Sequence, residues 1–244
     1  MGHSDLVTVG HFAILTPRLV LVPTPVAVDL SPYRALYSEL HADVAFCEMA
    51  FGHHFPARRW TDQETRDVIQ SRDIERCWKI RGLGDFAVGF RPPTEMNEVG
   101  NQYLPETDIT EFRIIEGQDF VQLAGPSKTH LADIEWVGYA GVRDATTTSM
   151  PLPEPGDLDL PSWVEMIEIR YGVSPRWWGT GIAKEASKAI MQWSATARGV
   201  KRFIAETERE NTRSAGLLQK LGFTLSGTNY WKEPSELEWH CAVE

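Results

Sequence analysis

Arg176-Trp177-Trp178-Gly179-Thr180-Gly181 is the stretch of this chain best equipped for chemistry. It follows an apolar, β-branched run, Met166 to Val173, and a Ser174-Pro175 pair that suits neither a strand nor a helix interior. After it, Ile182, Ala186, Ile190, Trp193 and Ala197 recur at helical spacing. Strand, glycine-bearing loop and helix start, in that order, leave backbone N–H groups unpaired beside the positive end of a helix dipole. Such a place binds an anion, most often a phosphate, and Gly179 and Gly181 allow a pyrophosphate close to the backbone. The pattern is not a dinucleotide fingerprint, because Lys184 takes the third glycine position. It is not a P-loop either, since no G-K-[ST] closes it.

The elements around this loop imply one domain. Ile14 to Pro23 reads as a first strand, with Pro17 near its start and Pro23 ending it. Leu30 to Met49 reads as a helix after a Ser31-Pro32 start. Thr61 and Glu64 form a capping box for a second helix ending near Glu75. Trp78 to Phe90 suggests a hairpin or bulged strand, and Phe112 to Leu123 two short strands around Glu116-Gly117. Strand pattern returns at Ile134 to Val142, and Arg198-Gly199 closes the helix after the loop. Val200 to Thr207 is a further strand, and Asn211 caps a helix that Gly222 stops. Phe223 to Trp231 and Glu236 to Val243 form a final antiparallel pair. This alternation predicts a single α/β domain with a mixed sheet over 14–244, a loose tail at 1–13, and an insertion at about 91–134 between the second and third strands.

Composition narrows the function classes. The net charge of −10 disfavours a nucleic-acid partner and favours cationic small molecules or basic peptides. Between Arg91 and Glu135, nine acidic residues face three basic ones. Cys47, Cys77 and Cys241 are scattered, so a disulfide framework or zinc site is not expected, and no His/Cys/Asp/Glu group has metal-ligand spacing. No apolar run reaches membrane-spanning length, and the N-terminus lacks signal-peptide character, so a cytoplasmic protein without a membrane partner is expected.

Three motifs in order carry a resemblance. They are an L-x-T-x-R-L-x-L-like first strand through Thr16, Arg18, Leu19 and Leu21; E-I-R-Y-G-V-S-P-R-W-W-G-T-G-I-A-K-E-A from Glu168; and N-x-x-S-x-x-L-L-Q-K-L-G-F from Asn211. The series resembles the RimJ/RimL-like branch of the Gcn5-related N-acetyltransferases over 14–90 and 134–243. The resemblance implies a mostly antiparallel sheet splayed at its central strands, with acetyl-CoA wedged in the gap as cosubstrate. The pyrophosphate would lie on Arg176, Trp177, Trp178, Gly179, Thr180, Gly181 and the helix start at Ile182. Pantetheine would pair with Tyr171 to Val173, and the Val173 N–H would polarise the thioester carbonyl. Asn211 and Ser214 match positions that contact the pantetheine and phosphate end.

Acyl transfer to an amine also needs a base. Glu168 holds the glutamate position of the E-I-x-Y pattern between Ile167 and Ile169, where desolvation would raise its pKa. An ion pair with Arg170 or a neighbouring strand is the structural alternative for the same residue. His53 and His54 fall where such enzymes border the acceptor pocket. The chain departs from the family at Leu218, where a Tyr general acid is usual; Ser214, Tyr171 and Tyr230 are the possible substitutes. The expected activity is acetylation of a small basic amine or a protein N-terminal amine by a monomer or homodimer. A degenerate acyl-CoA sensor is the alternative.

Overall fold

A computed structural model describes residues 10–52, 55–91, 112–157 and 159–243. Among the described residues nine strands form one sheet in the order β4-β1-β2-β3-β5-β6-β7-β9-β8. They are β1 (Phe12–Leu15), β2 (Leu19–Pro23), β3 (Asp85–Phe90), β4 (Arg113–Glu116), β5 (Trp136–Asp144), β6 (Ile167–Val173), β7 (Arg202–Glu208), β8 (Thr224–Leu225) and β9 (Glu236–Ala242). Every strand pairing is antiparallel except that of β6 with β7. That parallel pairing covers only Ile167↔Phe203 and Glu168↔Ile204. Beyond Glu168 the two strands part, and β6 runs on to Val173 paired only with β5. The expected splay of the central strands is therefore present.

The Ile182–Arg198 helix packs across the sheet with Ile182, Ala186, Ile190 and Trp193 buried, as their spacing predicts; Ala197 is exposed. Trp193 stacks on Phe12 at 5.5 Å and meets Phe86 edge-on at 5.1 Å. Gly199 at φ 68° ends this helix in the left-handed conformation expected of its C-cap.

Several elements differ from the sequence reading. The first strand is a hairpin: Thr16 N donates to Leu19 O at 3.0 Å, and Pro17, which has no N–H to offer a ladder, sits in the turn. Phe12 and Ala13, assigned to the tail, are buried in β1. The 30–49 helix breaks at Asp43, whose side chain accepts from Phe46 N at 2.8 Å and so starts a second helix, Val44–Phe51, after Ser31–Ala42. The Thr61/Glu64 capping box is present. Its helix, Asp62–Ile69, continues through a π-helical segment, Gln70–Trp78, to Arg81, where Gly82 at φ 64° stops it. Within the stretch read as an insertion, β4 joins the β1 edge and the expected second strand is a helix, Gly117–Ala124. Its buried residues Phe120, Leu123 and Ala124 have helical spacing, not alternation. Of the expected Phe223–Trp231 strand only β8 forms, and β9 pairs mainly with β7.

Candidate active site

The cleft where β6 and β7 part is closed on one side by the loop 174–181 and on the other by the Thr212–Lys220 helix. Ser174 N is held by Val137 O at 2.9 Å, and Pro175–Trp177 forms one 3-10 turn. Gly179 at φ 79° and Gly181 at φ 84° occupy the left-handed region that disfavours side chains. Nothing lies within 4 Å of a Cβ placed on Gly179, so that backbone is open to a ligand. A cavity of about 580 Å³ lies beneath, its wall including Tyr171, Val173, Trp177, Trp178, Ile182 and Ser214. Lys184, Arg213 and Lys220 add three cationic side chains to its lining. Loop N–H groups, a helix N-terminus and these cations suit a long ligand with phosphates at one end.

The remaining loop residues support this wall. Trp178 Nε1 donates to Val173 O at 2.8 Å, and the Arg213 guanidinium lies 4.8 Å over the Trp178 ring. Trp177 packs edge-on against Phe90. Arg176 forms an ion pair with Glu135, and Thr180 Oγ1 donates to Trp177 O at 2.7 Å. Asn211 caps its helix by accepting from Ser214 N at 3.0 Å, and its Nδ2 donates to Met49 O at 2.7 Å. One side chain thus ties the Val44–Phe51 helix to the far wall of the cleft. Burial pushes the Tyr171 hydroxyl up to about 12, against a smaller lowering from the neighbouring Ser214 side chain. Leu218 is fully buried.

Glu168 lies on the opposite face of β6 from Tyr171 and Val173, by strand alternation. It is 6% exposed and forms a two-pronged ion pair with its cross-strand partner Arg143, at 2.9 and 2.8 Å; Ser149 Oγ donates to the same carboxylate. The expected rise in its pKa is corrected. Burial does push it up, but the charge and hydrogen bonds of Arg143, the Arg170 charge and Ser149 together hold it below the usual value. Arg170 bonds Asp85 at 3.0 Å instead. His53 and His54 lie outside the described residues.

A second carboxylate group was missed. Glu206 and Glu208 on β7 face Glu238 and Glu236 on β9, and alternation puts all four on the Glu168 face. Glu238 is satisfied by Thr228 Oγ1 and Trp231 N. Glu206 Oε2 and Glu236 Oε2 are buried without a donor. Burial, then the adjoining Glu236 and the Glu168 charge, push Glu206 up to about 9, so Glu206 holds its proton at neutral pH. The E-x-E repeat in each of two adjacent strands was the available signal. Among the described residues no group of three or more His, Cys, Asp or Glu could hold a metal, and no helix is long and apolar enough to cross a membrane.

A sheet parted between two parallel strands, with a glycine loop and helix start over the gap, defines an α/β protein built on a split-strand, anion-binding cleft. The chain belongs to the acetyltransferase (GNAT) domain family, which matches residues 18–224. An uncharacterised N-acetyltransferase, p20, from Bacillus licheniformis is 37% identical over 60 residues, which span 25% of this chain and 34% of that protein. An acetyltransferase from Agrobacterium tumefaciens superposes with a TM-score of 0.56 at 17% identity, covering 99% of this chain and 100% of that one. The RimL ribosomal L7/L12 α-N-protein acetyltransferase in complex with coenzyme A gives 0.52 at 14% identity, over 98% of each chain. The microcin C7 self-immunity acetyltransferase MccE, in complex with acetyl-CoA and AMP, gives 0.52 at 12% identity over 98% of this chain and 99% of that one. At these identities the structural likeness speaks for the fold alone.

Proposed function

We propose that the protein is an acetyl-CoA-dependent N-acetyltransferase acting on a primary amine. The parting of β6 from β7 beneath the glycine loop is the observation that carries this reading. Pantetheine would enter the gap beside Tyr171 to Val173, and the pyrophosphate would lie on the 176–181 backbone and the Ile182 helix start. The amine nitrogen attacks the thioester carbon, the Val173 N–H stabilises the developing oxyanion, and the CoA thiolate leaves. The proton lost by the amine goes to Glu168, whose basicity the Arg143 pair lowers, so that pair must loosen for the transfer. The family match and the relative named as an N-acetyltransferase support the same chemistry.

A basic amine, either a small molecule or a protein N-terminus, is the proposed acceptor. The Oε2 atoms of Glu206 and Glu236, buried without a donor near Glu168, support a hydrogen-bond-donating ammonium group there. Two observations favour the acyl-CoA sensor as a second reading: Leu218 offers no acid, and Arg143 engages both oxygens of Glu168. Glu168→Gln separates them. The enzyme reading expects unchanged acetyl-CoA affinity and a fall in amine-dependent thiol release of about a hundredfold or more. Unchanged turnover in that variant removes Glu168 as base; no turnover in the parent over a broad amine panel favours the sensor.

A further inference from the structure

The turn between β1 and β2 lies far from the glycine loop in sequence but is bonded directly to it. Thr16 Oγ1 donates to Glu185 Oε1 at 2.5 Å, and Arg18 N donates to the same oxygen at 3.0 Å. Arg18 Nε reaches Glu185 Oε2 at 2.6 Å, and Arg18 Nη1 donates to Thr180 O at 3.0 Å. The Arg18 side chain is 48% exposed, whereas the Glu185 side chain is 4% exposed. Glu185 sits in the first turn of the Ile182–Arg198 helix, where its own N–H donates to Gly181 O at 3.0 Å.

Two consequences follow for an anion in the cleft. A trans peptide is planar, with its C=O and N–H on opposite sides. Fixing Thr180 O on Arg18 therefore directs the Gly181 N–H away from Arg18, and Gly181 lines the cavity. The buried Glu185 carboxylate also lies one helical turn from the loop, where uncompensated it would repel phosphates. The Arg18 guanidinium offsets that charge, and its Nη2 stands 3.4 Å from where a Cβ on Gly181 would be.

We propose that Arg18 is a positioning residue for pyrophosphate binding: through Thr180 it aims the Gly181 N–H, and through Glu185 it removes a repulsive charge from the loop. The inference rests on the acetyl-CoA reading above. It gives Thr16 and Arg18 of the first-strand motif a role at the opposite end of the sequence.

The test compares binding of acetyl-CoA with that of S-acetylpantetheine, which lacks the pyrophosphate, by calorimetry or thermal shift at millimolar ligand. Arg18→Ala should weaken acetyl-CoA by about tenfold or more, the worth of one charge-assisted hydrogen bond, and leave S-acetylpantetheine within about twofold. Arg18→Lys keeps the charge but loses the planar fork, so it should show a smaller loss confined to acetyl-CoA; it also serves if the alanine variant fails to fold. Adding Glu185→Gln to Arg18→Ala should recover part of the affinity. An equal loss for both ligands, or no loss for either, overturns the proposal. Failure of the parent to bind acetyl-CoA would instead overturn the functional reading on which it rests.

Discussion

Asn211 does two jobs that substitution can separate. Its Oδ1 caps the Thr212–Lys220 helix through Ser214 N, and its Nδ2 holds Met49 O across the cleft. Asn211→Ala loses both. A lost N-cap costs about 1 kcal/mol, and a lost hydrogen bond to a partly buried carbonyl about another 1 kcal/mol. For a chain of this size, about 2 kcal/mol lowers Tm by about 4–8 °C. Asn211→Asp keeps the cap, because a carboxylate still accepts from Ser214 N, but faces Met49 O with an acceptor instead of a donor. It should therefore cost about 1–2 kcal/mol, all of it from the cross-cleft bond. Urea unfolding gives the stability change, and acetyl-CoA titration gives the change at the cleft, whose wall includes Met49. The expected result is measurable destabilisation with weaker acetyl-CoA binding in both variants. If Asn211→Asp matches the parent in both measurements, the tie across the cleft does no energetic work and the reasoning fails.

Two further variants test the charged face of the sheet. Arg143→Gln strands the buried Glu168 carboxylate and should destabilise the fold by about 3–5 kcal/mol in urea unfolding. In the parent, Glu168 is held below its ordinary value, so its contribution is present above about pH 4.5 and is lost as pH falls through the folded-state value. That acid-side loss should be absent from Arg143→Gln. Glu206 has the opposite sign. Raised to about 9, it keeps its proton in the folded state where the unfolded chain has lost it. Stability should therefore fall as pH rises from about 4.5 toward 9, and Glu206→Gln should flatten that slope in a pH series of unfolding curves. A parent whose stability is level between pH 5 and about 8 would contradict the raised Glu206.

Much of this molecule was legible because its signals are local. The loop glycines, the Ile182–Trp193 stripe, the Thr61/Glu64 box and the Asn211 cap each depend on residues within a turn or two of one another. What escaped depends on contacts distant in sequence. The Glu168–Arg143 pair exists because the β5–β6 register sets those residues opposite each other, 25 positions apart. The Glu206/Glu236 pair likewise needs the β7–β9 register. Pro17 was read as lying near the start of one strand, and the hairpin it marks brings Arg18 to the glycine loop. The helix past Glu75 was misjudged for a different reason: Trp78 to Phe90 was read as a hairpin or bulged strand, whereas Gly82 is a helix C-cap.

Titration of the parent protein with acetyl-CoA, followed on the same sample by amine-dependent thiol release, tests the central claim most directly. A ligand that binds only the native state raises Tm as its concentration passes Kd. The account predicts a saturable rise in Tm with acetyl-CoA, and thiol release that appears only when a basic amine is added. No rise at millimolar acetyl-CoA would contradict the reading of the cleft between β6 and β7.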